Sequence, residues 1–274
     1  MSLKAAHGFP PSANILWRPL MIKSLFLRTA LGAVMGAGLM TLSAAPASAS
    51  VADGVAQIQN EKYADAMRTF KKEAAKDNGD AMYYIGDMLR NGLGQKAAPL
   101  EATIWWEKGA YLGNEKCQIA LSHAYRNGIG VKMDPRQALI WDREAAKNGS
   151  IIAYKNLGDY FATGNGVEID EKEAAKWYYL SSKGGFPAAY VALANLLRDG
   201  EGVEKNPVAA YVLYEAASKP VKNFEAERNA AADARILGHK LSAADLERAK
   251  KLSVEDVLDS LESLKKLSEE SSKK

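Results

Sequence analysis

The chain has 274 residues with 36 basic and 33 acidic side chains, a formal net charge of +3, and length alone would allow two ordinary domains. The excess of positive charge is confined to residues 1–49, which carry Lys4, Arg18, Lys23 and Arg28 and no acid. The remainder holds 32 basic and 33 acidic groups, a balance of −1. Such a body lacks the clustered Lys and Arg that neutralise phosphates, which argues against a nucleic-acid partner.

Residues 1–49 read as a targeting segment. Lys23 and Arg28 precede an apolar run of 13 residues, Ala30–Leu42, followed by Ala47-Ser48-Ala49. The run is short for a membrane span, which needs about 20 residues, and has the length and small-residue exit of a signal peptide. The expectation is an exported protein whose mature chain begins at Ser50, in a bacterial periplasm or secreted. Met21 is an alternative start, since residues 1–20 contain Pro10, Pro11 and Pro19 and would make an oddly long leader. No cysteine lies directly after the cleavage site, so no lipid anchor is expected. The single cysteine, Cys117, forms no internal bridge and shares its repeat position with Ala81, Ala153 and Ala189, which predicts a small buried residue.

Residues 50–80 form a degenerate first unit, with Ala66, Phe70 and Ala74 in register with Ala102, Trp106 and Ala110. Next come four Gly-x-Gly pairs spaced 36 residues apart: Gly92/Gly94, Gly128/Gly130, Gly164/Gly166 and Gly200/Gly202. Ala102, Ala138, Ala174 and Ala210 recur at the same interval. A period of this length marks a solenoid in which each unit buries its apolar face against its neighbours. The expected units are 81–116, 117–152, 153–188 and 189–220.

Within each unit, apolar residues recur at helical spacing on both sides of the glycines, which predicts an αα-hairpin. Asp134-Pro135, Asp170 and Asn206-Pro207 supply N-caps for the second helices. Ile85, Leu121, Leu157 and Leu193 form one core ladder, and Leu89, Tyr125, Phe161 and Leu197 a second. Gly86, Ser122, Gly158 and Ala194 allow close approach of helices. Trp105, Trp141 and Trp177 are assigned to packing, with Trp106 their exposed doublet partner. Beyond Pro220 the period fails. Residues 223–237 and the segments opened by Ser242-x-x-Asp245 and Ser253-x-x-Asp256 are expected to be capping helices within 221–266, and 267–274 a frayed tail.

The run Leu157-Gly158-x-x-Phe161-x-x-Gly164-x-Gly166-Val167-x-x-Asp170, then Ala174-x-x-Trp177-Tyr178 and Gly184, resembles the Sel-one-like repeat (SLR), a subfamily of tetratricopeptide-type repeats. The resemblance covers about 81–218 in four copies. It implies an all-α, right-handed superhelix that serves as an adaptor or scaffold for protein contacts, in exported bacterial members as an envelope regulator, an adaptor or a toxin inhibitor. One branch of the family is cysteine-rich and linked to β-lactam hydrolysis, which makes a cell-wall or β-lactam-active enzyme the alternative. This chain departs from that branch in having Cys117 alone, and its first copy departs from the repeat at Gln95, where the others have Val131, Val167 and Val203.

No catalytic pattern emerges. Beyond the targeting segment only His123 and His239 remain, and neither a His-Glu-x-x-His motif nor paired cysteines are present, so neither a metal site nor a cofactor is expected. The Gly-x-Gly pairs lack the third glycine and the Lys-Ser/Thr of phosphate loops. The candidate site is instead a surface. Asp87, His123, Asp159 and Asn195 occupy one position on the first helix of each unit, Arg90, Arg126 and Arg198 lie three residues on, and Tyr83 and Lys155 are neighbours. In tetratricopeptide-type arrays that helix lines the concave face, so this column is expected to bind a protein partner, with no catalytic residue.

Overall fold

The computed structural model describes residues 50–220 and 227–271, all within the compact unit Ser48–Lys274. Residues 1–49, read from the sequence as a targeting segment, lie outside the described residues. Among the described residues there are fourteen helices and no strand. The first unit pairs α1 (Val51–Gln59) with α2 (Tyr63–Ala74). Four hairpins follow: α3 (Gly79–Asn91) with α4 (Pro99–Tyr111), α5 (Glu115–Asn127) with α6 (Pro135–Lys147), α7 (Ile151–Thr163) with α8 (Glu171–Lys183), and α9 (Pro187–Asp199) with α10 (Pro207–Ala217). Each helix packs on the next in chain order, and α3 also touches α5, the first helix of the following unit.

Both ends of the hairpins are set locally. Asn78, Asn114 and Ser150 cap α3, α5 and α7 through their side chains, while Asp134, Asp170 and Asn206 cap α6, α8 and α10. Each first helix of the four hairpins ends on a glycine in the left-handed region, Gly92, Gly128, Gly164 or Gly200, where a residue with Cβ would be strained. The second glycine of each pair has a further reason to lack a side chain. A Cβ on Gly130 would lie 2.2 Å from the Pro99 carbonyl oxygen, and one on Gly202 2.3 Å from the Glu171 backbone. Both neighbours are the first residue of the preceding unit's second helix, so the loop of one unit docks on the previous one.

The first expected ladder, Ile85, Leu121, Leu157 and Leu193, is buried throughout, whereas in the second Leu89 and Leu197 are buried and Tyr125 and Phe161 only half-buried. Between the two helices of each unit runs a second regular contact that pairs a small residue with a large one. Phe70 faces Gly54, Trp106 faces Gly86, and Tyr178 faces Gly158, where an added Cβ would come within 2.4 Å of the ring in each case. Tyr214 holds the same position in the fourth hairpin. This corrects the tryptophan assignment at 105 and 106. Trp106 is 1% exposed, whereas Trp105 is half-buried with the Lys108 ammonium 4.7 Å above its ring. The deep position runs through 106, 142, 178 and 214, and a small residue opposite leaves room for a ring there only. Trp141 is buried, and Trp177 is half-buried, stacked on Tyr154 at 5.7 Å.

Cys117 is fully buried, as its register predicts, with its thiol 3.4 Å from the Gly79 carbonyl oxygen. At the C-terminal end, α11 (Ala230–Gly238), α12 (Ala243–Ala249) and α13 (Val254–Ser260) pack on α10, and α14 (Glu262–Ser271) packs on α8. Ser242 and Ser253 cap α12 and α13 as their motifs predict. The helix expected over 223–237 begins at Ala230. Residues 223–226 lie outside the described set, and the Glu227 N–H donates to the Ala217 carbonyl at the end of α10. The segment expected to fray is helical through Ser271, because burial of Leu264 anchors α14.

Candidate functional site

The nine candidate residues all lie on first helices, but they separate into three places. Tyr83, Asp87, Arg90, His123 and Arg126 surround one pocket of about 370 Å³ between α3, α5 and α7. Lys155, Asp159 and Asn195 line a second recess between α7 and α9, with Tyr178. Arg198 lies at the edge of a third, beside Asp199 and α11.

In three of the four hairpins the column is anchored within the protein. Asp87 accepts from Arg90 (3.1 Å) and Asn91 (3.1 Å). Asp159 accepts from the Tyr178 hydroxyl (2.9 Å) and from Lys155 (2.6 Å). Burial, then the Asp159 charge, pushes the Tyr178 phenol far above its ordinary value. Asn195 accepts from the Tyr214 hydroxyl (2.5 Å), which accepts in turn from Arg198 (3.0 Å), and Arg198 is also paired with Asp199. The aromatic at the deep position thus reaches the column with its polar tip in the third and fourth hairpins. In the first, the Trp106 indole N–H donates to the Tyr83 carbonyl (3.2 Å).

The second hairpin breaks this pattern. Its deep position holds Asp142, fully buried, facing Ser122 in place of a glycine. Asp142 accepts from the Ser122 hydroxyl (2.6 Å) and from the Asn156 amide (3.0 Å). The Tyr160 hydroxyl stands beside it, and burial together with the Asp142 charge pushes that phenol up to about 12. Burial also raises the Asp142 carboxyl, opposed by the bonds from Asn156 and Ser122 and by the positive field of Arg126.

The column residues of this hairpin are more weakly anchored. His123 makes no side-chain hydrogen bond or ion pair among the described residues, and its pKa is lowered by burial and by the charges of Arg126 and Arg90. Arg126 has no ion-pair partner among the described residues. Its one hydrogen bond runs from Nη1 to Asn156 Oδ1 (3.3 Å), its guanidinium lies 5.9 Å from the Tyr160 ring centre, and its Nε is buried without a partner. The remaining walls are Trp106, Ile119, Ala120 and Ile152, an apolar lining beneath a polar rim.

Sequence reasoning placed Arg126 and His123 correctly on one face but missed Asn156, Asp142 and Trp106, which shape the pocket. The signal was present as a break in register, since 106, 142, 178 and 214 read Trp, Asp, Tyr, Tyr. Among the described residues no cluster of three His, Cys, Asp or Glu side chains could hold a metal ion. Nor is any described helix long and apolar enough to cross a membrane.

A stack of capped αα-hairpins with interlocking glycine loops is an α-solenoid of the helix-turn-helix repeat class. The Sel1 repeat family model matches residues 79–114, 116–150, 151–186 and 187–219, together more than half of the chain, and the chain belongs to that family, whose repeats mediate protein interactions. Among solved structures, a Sel1 repeat protein from Oxalobacter formigenes is 26% identical with a TM-score of 0.61, over 73% of this chain and 81% of that one. A protective antigen of uropathogenic Escherichia coli, c5321, with an SLR fold, is 25% identical at a TM-score of 0.46, over 76% of this chain and 54% of its own. A Sel1 repeat protein from Klebsiella pneumoniae subsp. pneumoniae is 20% identical at a TM-score of 0.42, over 73% and 91%. No curated protein matches. The family and the all-α repeat fold read from the glycine motif are thereby borne out.

Proposed function

We propose that this protein is an exported, non-catalytic scaffold that binds a protein partner through the face lined by its first helices. In the bacterial periplasm, or secreted, it would serve an envelope process as regulator or adaptor, or act as the cognate inhibitor of a secreted toxin. The observation that carries the reading is the pocket at the second hairpin, where Arg126 and His123 lack the internal partners that their counterparts have. A partly desolvated arginine over aromatic and aliphatic support is the composition of an interaction hot spot. Export rests on the apolar run Ala30–Leu42 and the Ala47-Ser48-Ala49 exit.

The test is a pull-down from envelope extract with the chain beginning at Ser50, followed by calorimetry on the recovered partner. Replacing Arg90 and Arg126 together by Ala is expected to weaken binding by at least about 1 kcal/mol with helicity and melting temperature nearly unchanged. Undiminished affinity would remove the binding site from this face. N-terminal sequencing of exported protein checks the address, and recovery of intact residues 21–49 in a membrane fraction would overturn it.

A further inference from the structure

The pocket at the second hairpin differs from the rest of the face in one chemical respect: it holds a cation that the protein does not neutralise at contact distance. Asp87 is paired with Arg90, and Lys116 with Asp80 at 3.1 Å. Glu115, also on the rim, stands eleven residues before Arg126 on the same helix, about 16 Å along its axis. In the first hairpin the arginine has an aspartate three residues earlier, Asp87 before Arg90. In the second that position is His123. The buried carboxylate of Asp142 does not take over the pairing, since its oxygens accept from Ser122 and Asn156. It acts on Arg126 through its field, without a contact ion pair, and by fixing the Asn156 amide, whose oxygen accepts from the guanidinium. Arg126 is thus held in place with four of its five N–H groups unbonded.

We propose that this pocket recognises a carboxylate on an acidic residue of the protein partner, with the adjoining apolar side chain seated against Trp106, Ile119 and Ile152. This rests on the reading that the first-helix face binds a protein. Charge complementarity selects the occupant. The fields of Arg90 and Arg126 that disfavour protonation of His123 act in the same sense on any incoming group, favouring an anion and opposing a cation. A guanidinium positioned by one bond from Nη1, with its Nε buried and its other terminal N–H groups unbonded, suits a carboxylate, which Nη1 and Nη2 can grip with two parallel donors. A volume of about 370 Å³ lies in the range of small ligand sites and admits side chains of a bound segment rather than a folded domain.

The experiment is to pan a random peptide display library against residues 50–274, synthesise the enriched peptide, and compare it with its acid-to-amide counterpart by calorimetry. Two variants are read alongside the wild type. His123→Asp supplies the carboxylate that the first hairpin already has at this position, on an exposed site, and leaves Arg126 in place. Arg126→Gln removes the charge. The expected result is an enriched acid beside an apolar residue, with the amide counterpart binding at least tenfold more weakly to the wild type. To both variants, acid and amide should bind within about twofold of each other.

Enriched peptides without an acid, or an acid preference that persists in His123→Asp and in a folded Arg126→Gln, would overturn the proposal. If peptides bind but respond instead to changes at Lys155 or Asn195, the face is a binding surface and this pocket is not its anion site. If no peptide depends on any residue of the face, both readings fall.

Discussion

Gly128 and Gly130 offer a controlled comparison, because both have φ of +69° and they stand in the same loop. Changing either to Ala places an L-residue in the left-handed region, at about 1–2 kcal/mol. For Gly128 that is the main cost, since a new Cβ would meet nothing closer than 3.7 Å. For Gly130 the Cβ would lie 2.2 Å from the Pro99 carbonyl oxygen and 2.4 Å from its carbon. Carbon and oxygen rest at about 3.3–3.6 Å even when attracted, so the loop must retreat by roughly 1 Å. The neighbouring Thr103 hydroxyl bonds to both the Pro99 and Ile129 carbonyls at 3.0 Å, and that retreat strains the second bond.

Overpacking a tight contact costs about 1–3 kcal/mol, and this is the expected difference between Gly130→Ala and Gly128→Ala. Urea unfolding followed by circular dichroism measures it, with equal slopes required for the comparison. In an array whose stability is a sum of unit and interface contributions, the excess reports the docking of one unit on the previous one. Two substitutions equal within about 0.5 kcal/mol would refute the docking argument and leave the second glycine as a turn residue only.

Two other substitutions and probes follow from buried groups. Asp142 has its folded pKa raised by burial, so the stability it contributes is complete below the unfolded value of about 3.9 and declines as pH rises through the folded value. Asp142→Asn removes that decline, so its melting temperature relative to wild type should rise from about pH 4 to about pH 7; a flat or falling difference would contradict the assignment. The Cys117 thiol is fully buried and is pushed up to about 12, chiefly by burial and then by the Asp80 charge. It should resist a disulfide-exchange reagent in the native state and react completely in denaturing urea, and rapid native labelling would place it at the surface instead.

The sequence makes the period, the hairpins and the glycine-terminated helices legible because each depends on a local requirement repeated four times. Left-handed glycines, capping side chains and apolar ladders leave marks at fixed intervals. The Trp105/Trp106 doublet shows where such marks mislead. Spacing by 36 from Trp105 reaches Trp141 and Trp177, which imitates a core column, while spacing from Trp106 reaches Asp142 and looks broken. The deep column is the broken one, because burial there depends on the small residue of the opposite helix. Asn156 was illegible for a related reason. Its counterparts are Tyr84, Ala120 and Ala192, and only the three-dimensional position of Asp142 gives its amide a role. The site column was readable as a column, but which of its members are internally satisfied depends in part on partners 16 to 30 residues away.

The two departures in the second hairpin are connected by geometry. Where an aromatic occupies the deep position its polar tip can hold the column, as Tyr178 holds Asp159 and Tyr214 holds Asn195. Asp142 is too short for that and turns to Ser122 and Asn156. Burying a carboxylate where a ring would pack is unfavourable in itself, and hydrogen bonds from two neighbours with the field of Arg126 offset that cost only in part, since the carboxyl stays raised. Tyr160, in a position filled by Met88, Ala124 and Leu196 in the other hairpins, brings its hydroxyl beside Asp142. The net effect is one unit of the array that retains its packing but leaves His123 without a side-chain hydrogen bond and Arg126 with one, to Asn156, and no contact ion pair. On a face whose other column positions are held by internal hydrogen bonds or ion pairs, that is the place where an external partner has most to gain.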